Sequence, residues 1–246
     1  MVLEADVDLA AVEPFLQEGM VAEVLDLIKS GKEANAYLCR GGREAGRELA
    51  VLKIYHSRER RNFARSSLYT QGRLVLNGQV RRAINARSEF GKDAEAAMWV
   101  NYEFDNLSAA YDAGTDVPEP IACEGSGLLM EYIGDEREPA PQLQYVSLDR
   151  EEAEVQCARL LSNIERWLGV NLVHGDLSPY NILYWKGRCV AIDFPQAVDP
   201  RFNDSARSLL ERDVTNVAKY FARMGVRLDV QRETTRMWGR FVYSQL

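Results

Sequence analysis

Three polar residues in a mostly apolar stretch of this chain have the types and the order that phosphoryl transfer uses. Asp176 and Asn181 lie within LVHGDLSPYNILY, from Leu172 to Tyr184, and Asp193 follows in the IDF of Ile192 to Phe194. An aspartate at the first position accepts or orients the proton of an attacking hydroxyl. One loop further on, the amide oxygen of Asn181 is expected to reach a metal from the same side, with Asp193 facing both from a neighbouring strand. Hard oxygen donors of this kind suit magnesium, which keeps several waters and binds through one or two carboxylates and the phosphates of a nucleotide. The plainer reading is a turn between a helix and a hairpin. It leaves three ordered polar groups in a setting where burial for packing alone is costly.

The elements that must position these groups are legible on both sides. A short helix is predicted over Asp8 to Gln17, ended by Gly19, then strands over Val21 to Ile28, up to Cys39, and over ELAVLKIY from Glu48 to Tyr55. Between the first two strands lies SGKEANAY. Its single Gly31 departs from a glycine-rich loop, yet backbone amides and the Ser30 hydroxyl can cradle phosphates there, with Lys32 adding charge and Glu33 contacting metal or the loop itself. Lys53 is placed to pair with nucleotide phosphates. A helix over Asp93 to Ala110 carries Ala97, Val100, Phe104 and Leu107 on one face, and Glu103, beside that stripe, is the expected ion-pair partner that orients the lysine.

Beyond Pro118 and Pro120, two short strands are expected, over Ile121 to Cys123 and Gly127 to Tyr132. In the second, Met130 would abut an adenine, and backbone groups of Glu131 to Ile133 would bond its edge. Gly134 to Gln142 reads as an interlobe linker. Asp149 and Glu152 form a capping-box pattern for a helix with Val155, Ala158, Leu161, Ile164 and Leu168 on its core face, closed by Gly169. Ser205 caps a later helix with Leu209, Leu210, Val214, Val217 and Phe221 at helical spacing. On that helix Asp213 either accepts hydrogen bonds from the catalytic loop or stands exposed beside Arg212 or Lys219. A last helix occupies the tail from Leu228, with Trp238 and Phe241 packing.

Composition bounds the chemistry. A chain of 246 residues with 46% hydrophobic content can bury a full core. Its four cysteines are widely spaced without a CxxC pair, and with only two histidines a histidine-rich metal site is excluded. No signal-peptide pattern and no run of roughly 20 apolar residues is present, so a soluble cytoplasmic protein without membrane contact is expected. The net charge of −7 hides an asymmetry: from Ser57 to Lys92, nine basic residues face Glu59 and Glu89, a local +7 against −14 elsewhere. Such a stretch either binds phosphate-rich partners such as RNA or docks on the acidic body of its own chain.

In order, SGKEANAY, AVLKIY, LVHGDLSPYNILY and AIDFPQAVD resemble the RIO family of atypical protein kinases over about Gly19 to Met224. The SGKEA turn and the Pro-Gln after Phe194 carry the resemblance. It implies an α+β, two-lobed protein-kinase-like fold: a helical extension over 1–18, a small β-rich N-lobe over 19–133 and a mainly helical C-lobe over 134–246. It further implies ATP with Mg2+ or Mn2+, Asp176 as catalytic aspartate, Asn181 and Asp193 as metal ligands, and Lys53 with Glu103 as the phosphate-positioning pair. Subfamily features are mixed: SGKEANAY is similar to the type-one branch and IDFPQ to the type-two branch, while Pro179 stands where the family commonly has an acidic residue. With no A-P-E motif, the long loop that lays out a peptide is missing, and Pro195 stiffens the backbone after Asp193.

Three functions follow as expectations. The first is a RIO-type serine/threonine kinase or ATPase, passing the γ-phosphate to a protein serine, to itself or to water. A small-molecule phosphotransferase of the aminoglycoside or choline kinase kind shares the HGDLxxxNIL loop. A nucleotide-gated factor for ribosomal precursors or RNA would use the basic stretch 57–92.

Overall fold

The computed structural model of the chain describes residues 9–56 and 89–246. Residues 57–88, which hold the arginines of the basic stretch, lie outside the described residues, as do residues 1–8. The chain forms two compact units: among the described residues, the first takes 9–56, 89–105 and 119–132, and the second takes 106–118 and 133–246. This is the kinase-like α+β arrangement, a β-rich unit and a mainly helical one.

The first unit is a five-stranded antiparallel sheet. After helix α1 (Leu9–Gln17) come β1 (Val21–Ser30), β2 (Ala34–Gly41) and β3 (Leu49–Tyr55), then helix α2 (Glu89–Asp112), β4 (Pro120–Glu124) and β5 (Gly127–Glu131). The strand order β1-β2-β3-β5-β4 puts β3, with Lys53, in the middle. Because strand side chains alternate between faces, β3 splits cleanly. Ala50, Leu52 and Ile54 pack with Val12 and Phe15 of α1, whereas Tyr55 packs with Val100 of α2 and Leu128. Lys53 shares the parity of Tyr55, so the lysine is directed to the α2 face. Gly127 is required on the opposite face, since a Cβ there would stand 2.5 Å from the Phe15 ring.

Among the residues of α2 whose burial is described, 97–112, the buried ones are Val100, Glu103, Leu107 and Ala110. Glu103 is therefore on the buried stripe rather than beside it. Residues 106–118, which include about the last two turns of α2, belong to the second unit. There Trp167 Nε1 donates to Thr115 Oγ1 at 2.7 Å, and Asp116 accepts from Arg159 at 2.6 and 2.7 Å and from Asn163 at 3.0 Å. Burial pushes the Asp116 carboxyl up, but the Arg159 and Asn163 bonds win and hold it below the usual aspartate range.

The second unit is built on helices α3 (Arg150–Gly169), α4 (Ala206–Ala222) and α5 (Val230–Val242), with a two-stranded hairpin of β6 (Ile182–Trp185) and β7 (Arg188–Ala191). The core face of α3 differs from the expected one. Val155 is 54% exposed and Ala158 is exposed, while Ala153, Cys157, Leu160, Ile164, Trp167 and Leu168 are buried. Buried Gln156 and Asn163 share this face because each has a bonding duty, Gln156 to Cys189 N and Gly187 O, Asn163 to Asp116.

The capping box is half formed. Asp149 accepts from Glu152 N at 2.9 Å, but the Glu152 carboxylate takes Gln156 and Tyr184 instead of returning to the cap. The helix is closed by Asn171 at φ 61, not by Gly169, which remains helical. Asparagine tolerates this left-handed conformation better than most residues. Ser205 stands at the cap of α4 without a side-chain capping bond, and Asn203 Oδ1 accepts from Ser205 N. The expected stripe of α4 is buried throughout, and in α5 Met237 and Thr234 are buried while Trp238 and Phe241 pack on each other at 5.5 Å.

Candidate active site

In the first unit, Lys53 Nζ lies 2.8 Å from Glu103 Oε1 and 3.1 Å from Oε2. The lysine side chain is 16% exposed and the glutamate 2%. A buried ion pair of this kind holds a flexible ammonium in one place, and removing one partner leaves an uncompensated buried charge. Tyr55, two residues on from the lysine, also donates its hydroxyl to Glu103 Oε2.

The SGKEA turn joins β1 to β2 with Ser30 opposite Asn35. Ser30 Oγ donates to Asn35 Oδ1 at 3.0 Å, and the Gly31 amide bonds Ala34 O at 3.0 Å, so that amide is committed to the turn itself. Lys32 and Glu33 are exposed. The end of β3 latches the turn: His56 N donates to Glu33 O at 2.8 Å, and His56 Nε2 lies 3.2 Å from Gly31 O.

Farther along, Met130 and Glu131 are half-buried at the end of β5. The Glu131 amide donates to Glu119 O at 2.8 Å, and its carboxylate accepts from Arg47 and from Glu119 N at 3.1 Å each. Ile133 O accepts from Ala140 N at 2.9 Å. The Glu131 amide is thus engaged within the sheet, which leaves fewer edge groups than the sequence promised.

The second unit gathers Asp176, Asn181 and Asp193. Val173 is bridged to Val198, so the start of the Asp176 loop lies beside the end of the segment that carries Asp193. His174 binds them further: Nε2 lies 3.2 Å from Ile192 O, and Nδ1 lies 3.3 Å from Asp176 N, which together require the Nε2–H tautomer. Its ring packs on Phe194 at 4.6 Å, and Phe194, fully buried, meets Trp167 edge-on at 5.5 Å. Burial pushes the imidazole down to about 4, so His174 is neutral near neutral pH.

Asp213 supplies the floor. Fully within the core, it accepts from Gly175 N at 2.8 Å and Leu177 N at 2.9 Å, which settles its role as an anchor of the loop and not an exposed surface charge. Burial raises its carboxyl to about 7 against the opposing pull of those two amides. Arg212 donates to Gly175 O, and Asn216 Nδ2 to Leu177 O at 2.9 Å. Gly175, at φ 76, makes the bend.

Held in this way, Asp176 is the exposed residue between buried Gly175 and Leu177. Asn181 Nδ2 donates to Asp176 O at 3.0 Å and to Asp176 Oδ2 at 3.2 Å. With its nitrogen so used, the amide offers Oδ1 as an acceptor. Partial burial raises the Asp176 carboxyl above its ordinary value, and the Asp193 charge adds to this against Arg212 and Asn181. Asp193 has φ 74, and Ile192 N donates to Asn181 O at 2.9 Å. The carboxylates of Asp176 and Asp193 and the amide oxygen of Asn181 are hard oxygen donors, a set whose chemistry fits a magnesium-type cation. Among the described residues no group of three or more His, Cys, Asp or Glu forms a metal cluster.

The RIO domain family model matches residues 35–235. The chain belongs to the RIO family. Among its relatives, the RIO-type serine/threonine-protein kinase Rio1 of Haloferax volcanii is 34% identical over 91% of this chain and 72% of its own length. The serine/threonine-protein kinases RIO1 of Caenorhabditis elegans and Homo sapiens are 31% and 30% identical over 86% and 89% of this chain, which spans only 39% and 36% of theirs. A solved structure with the same fold is the Rio2 kinase–ADP/Mg2+–phosphoaspartate complex from Chaetomium thermophilum. It has a TM-score of 0.66 and 24% identity, covering 93% of this chain and 65% of that one.

Several residues of this RIO chain escaped the sequence reading. Tyr55 could have been found from strand parity, since it shares a face with Lys53. His174 and Arg212 carry no such signal, because what they do depends on loops far apart in sequence.

Proposed function

We propose that this chain is a RIO-type serine/threonine kinase or ATPase that passes the γ-phosphate of ATP to a protein serine, itself included, or to water. The observation that carries it is the loop in which Asn181 is bonded to Asp176 while Asp193, at φ 74, follows the β6–β7 hairpin. Asp176 orients the attacking hydroxyl and takes its proton. Asn181 Oδ1 and the Asp193 carboxylate are the groups that would hold Mg2+, with Mn2+ as a substitute. Such a cation neutralises charge on the transferring phosphoryl group.

Lys53, fixed by Glu103, pairs with the phosphates, and Ser30, Gly31, Lys32 and Glu33 border them. Met130 and the remaining backbone groups of Glu131 to Ile133 take the adenine. The relatives' names and the ADP/Mg2+ complex of the Rio2 kinase support ATP and magnesium as the ligands. The arginine-rich stretch 57–92 supports a phosphate-rich partner such as RNA or a ribosomal precursor. Among the described residues no helix is long and apolar enough to cross a membrane.

Following γ-labelled phosphate from ATP and magnesium tests this reading. Label should reach protein or water with the unaltered chain and be lost with Asp176→Ala and Asp193→Ala. Label that instead goes only to an added small alcohol or aminoglycoside would favour a small-molecule phosphotransferase.

A further inference from the structure

We infer that Tyr55 is a positioning residue for the Lys53 ammonium, acting through Glu103. The inference rests on the reading of Lys53 as the group that holds the nucleotide phosphates. Lys53 and Tyr55 lie two residues apart on β3 and so project from the same face. The Tyr55 hydroxyl donates to Glu103 Oε2, and the Lys53 ammonium sits 4.9 Å from the centre of the Tyr55 ring as well as 2.8 Å from Glu103 Oε1. One tyrosine therefore touches both members of the ion pair.

The physical need for it comes from burial. Glu103 is 2% exposed, as Tyr55 is at 6%, so the carboxylate has lost most of its water. The phenol hydroxyl replaces part of that lost solvation at Oε2 and fixes the plane of the carboxylate. With that oxygen held, Oε1 is presented to the lysine at the shorter distance. The ring face below the ammonium adds a second attraction and blocks one direction of movement. Without the hydroxyl, Oε2 loses that fixed donor, the plane of the carboxylate is less defined, and the ammonium bonded to it is less sharply placed.

A double-mutant comparison tests this, read by the rate at which an acyl-phosphate derivative of ATP acylates Lys53, detected by mass spectrometry. The readout needs phosphate-directed placement of the lysine, not turnover. Tyr55→Phe keeps the ring and is expected to slow labelling on the order of tenfold, the scale of one hydrogen bond to a charged group. In a Glu103→Gln background the same change should alter labelling by less than about twofold, since the tyrosine acts through the carboxylate. Tyr55→Met, lacking both hydroxyl and ring, should label at least as slowly as Tyr55→Phe.

Wild-type labelling rates in Tyr55→Phe or Tyr55→Met would overturn the inference. So would an equal tenfold loss in both backgrounds. A wild-type chain in which Lys53 is not labelled at all, while other lysines are, would overturn the reading of Lys53 and the positioning role with it. Normal wild-type labelling that ignores Tyr55 would remove the positioning role alone.

Discussion

At the scale of single residues, the loop that carries Asp176 is held by two buried groups, Asp213 and His174. Asp213 takes both the Gly175 and Leu177 amides. An asparagine at that site has one acceptor oxygen for two donors, leaving a buried amide unsatisfied at a cost of about 1–3 kcal/mol. Asp213→Asn should accordingly speed hydrogen exchange at the Gly175 and Leu177 amides while amides in β1 to β3 stay protected. Unchanged protection at those two amides would count against the anchor. His174 gives a pH dependence. Burial lowers it from 6.5 to about 4, so the folded chain binds the proton less readily than the unfolded one. Its contribution to stability is full above 6.5 and is lost as pH falls toward about 4. In NMR, the His174 ring signals should stay in the neutral position from pH 8 to pH 5; titration near 6.5 would show that the ring is not buried as described.

At the scale of elements, legibility tracked how local the cause was. The strands around Lys53 and the stripe of α4 could be read because alternation and helical spacing are written in apolar residues. The phase of α3 could not. Its buried face includes Gln156 and Asn163, whose partners lie at Cys189, Gly187 and Asp116, and no periodicity of apolar residues reveals such distant bonds. The helix end was missed for a related reason: Gly169 has the composition of a terminator, but Asn171 takes the left-handed turn. The two phases make opposite claims about stability. Leu160→Ala should lower stability by about 2–5 kcal/mol, because it empties a buried site. Val155→Ala, at a position 54% exposed, should stay within about 0.5 kcal/mol in the same denaturation experiment. The reverse order would restore the face read from the sequence.

At the scale of the whole molecule, the residues of the proposed chemistry fall in both units. Lys53, Glu103 and the SGKEA turn lie in the first, and Asp176, Asn181 and Asp193 lie in the second. The ordered motifs exposed these residues in the sequence because each must be of one chemical type. The groups that hold them in place, Tyr55, His174 and Arg212 among them, were not visible, since many residues can serve as supports and only the fold selects one. The transfer chemistry of the Asp176 loop is tested most directly by single-turnover transfer of γ-labelled phosphate from ATP in the presence of Mg2+, comparing the unaltered chain with Asp176→Ala. The expected result is transfer to protein or water that falls on the order of 10²–10⁴-fold in the variant, the usual worth of a positioned general base. Equal transfer by the two chains would contradict it.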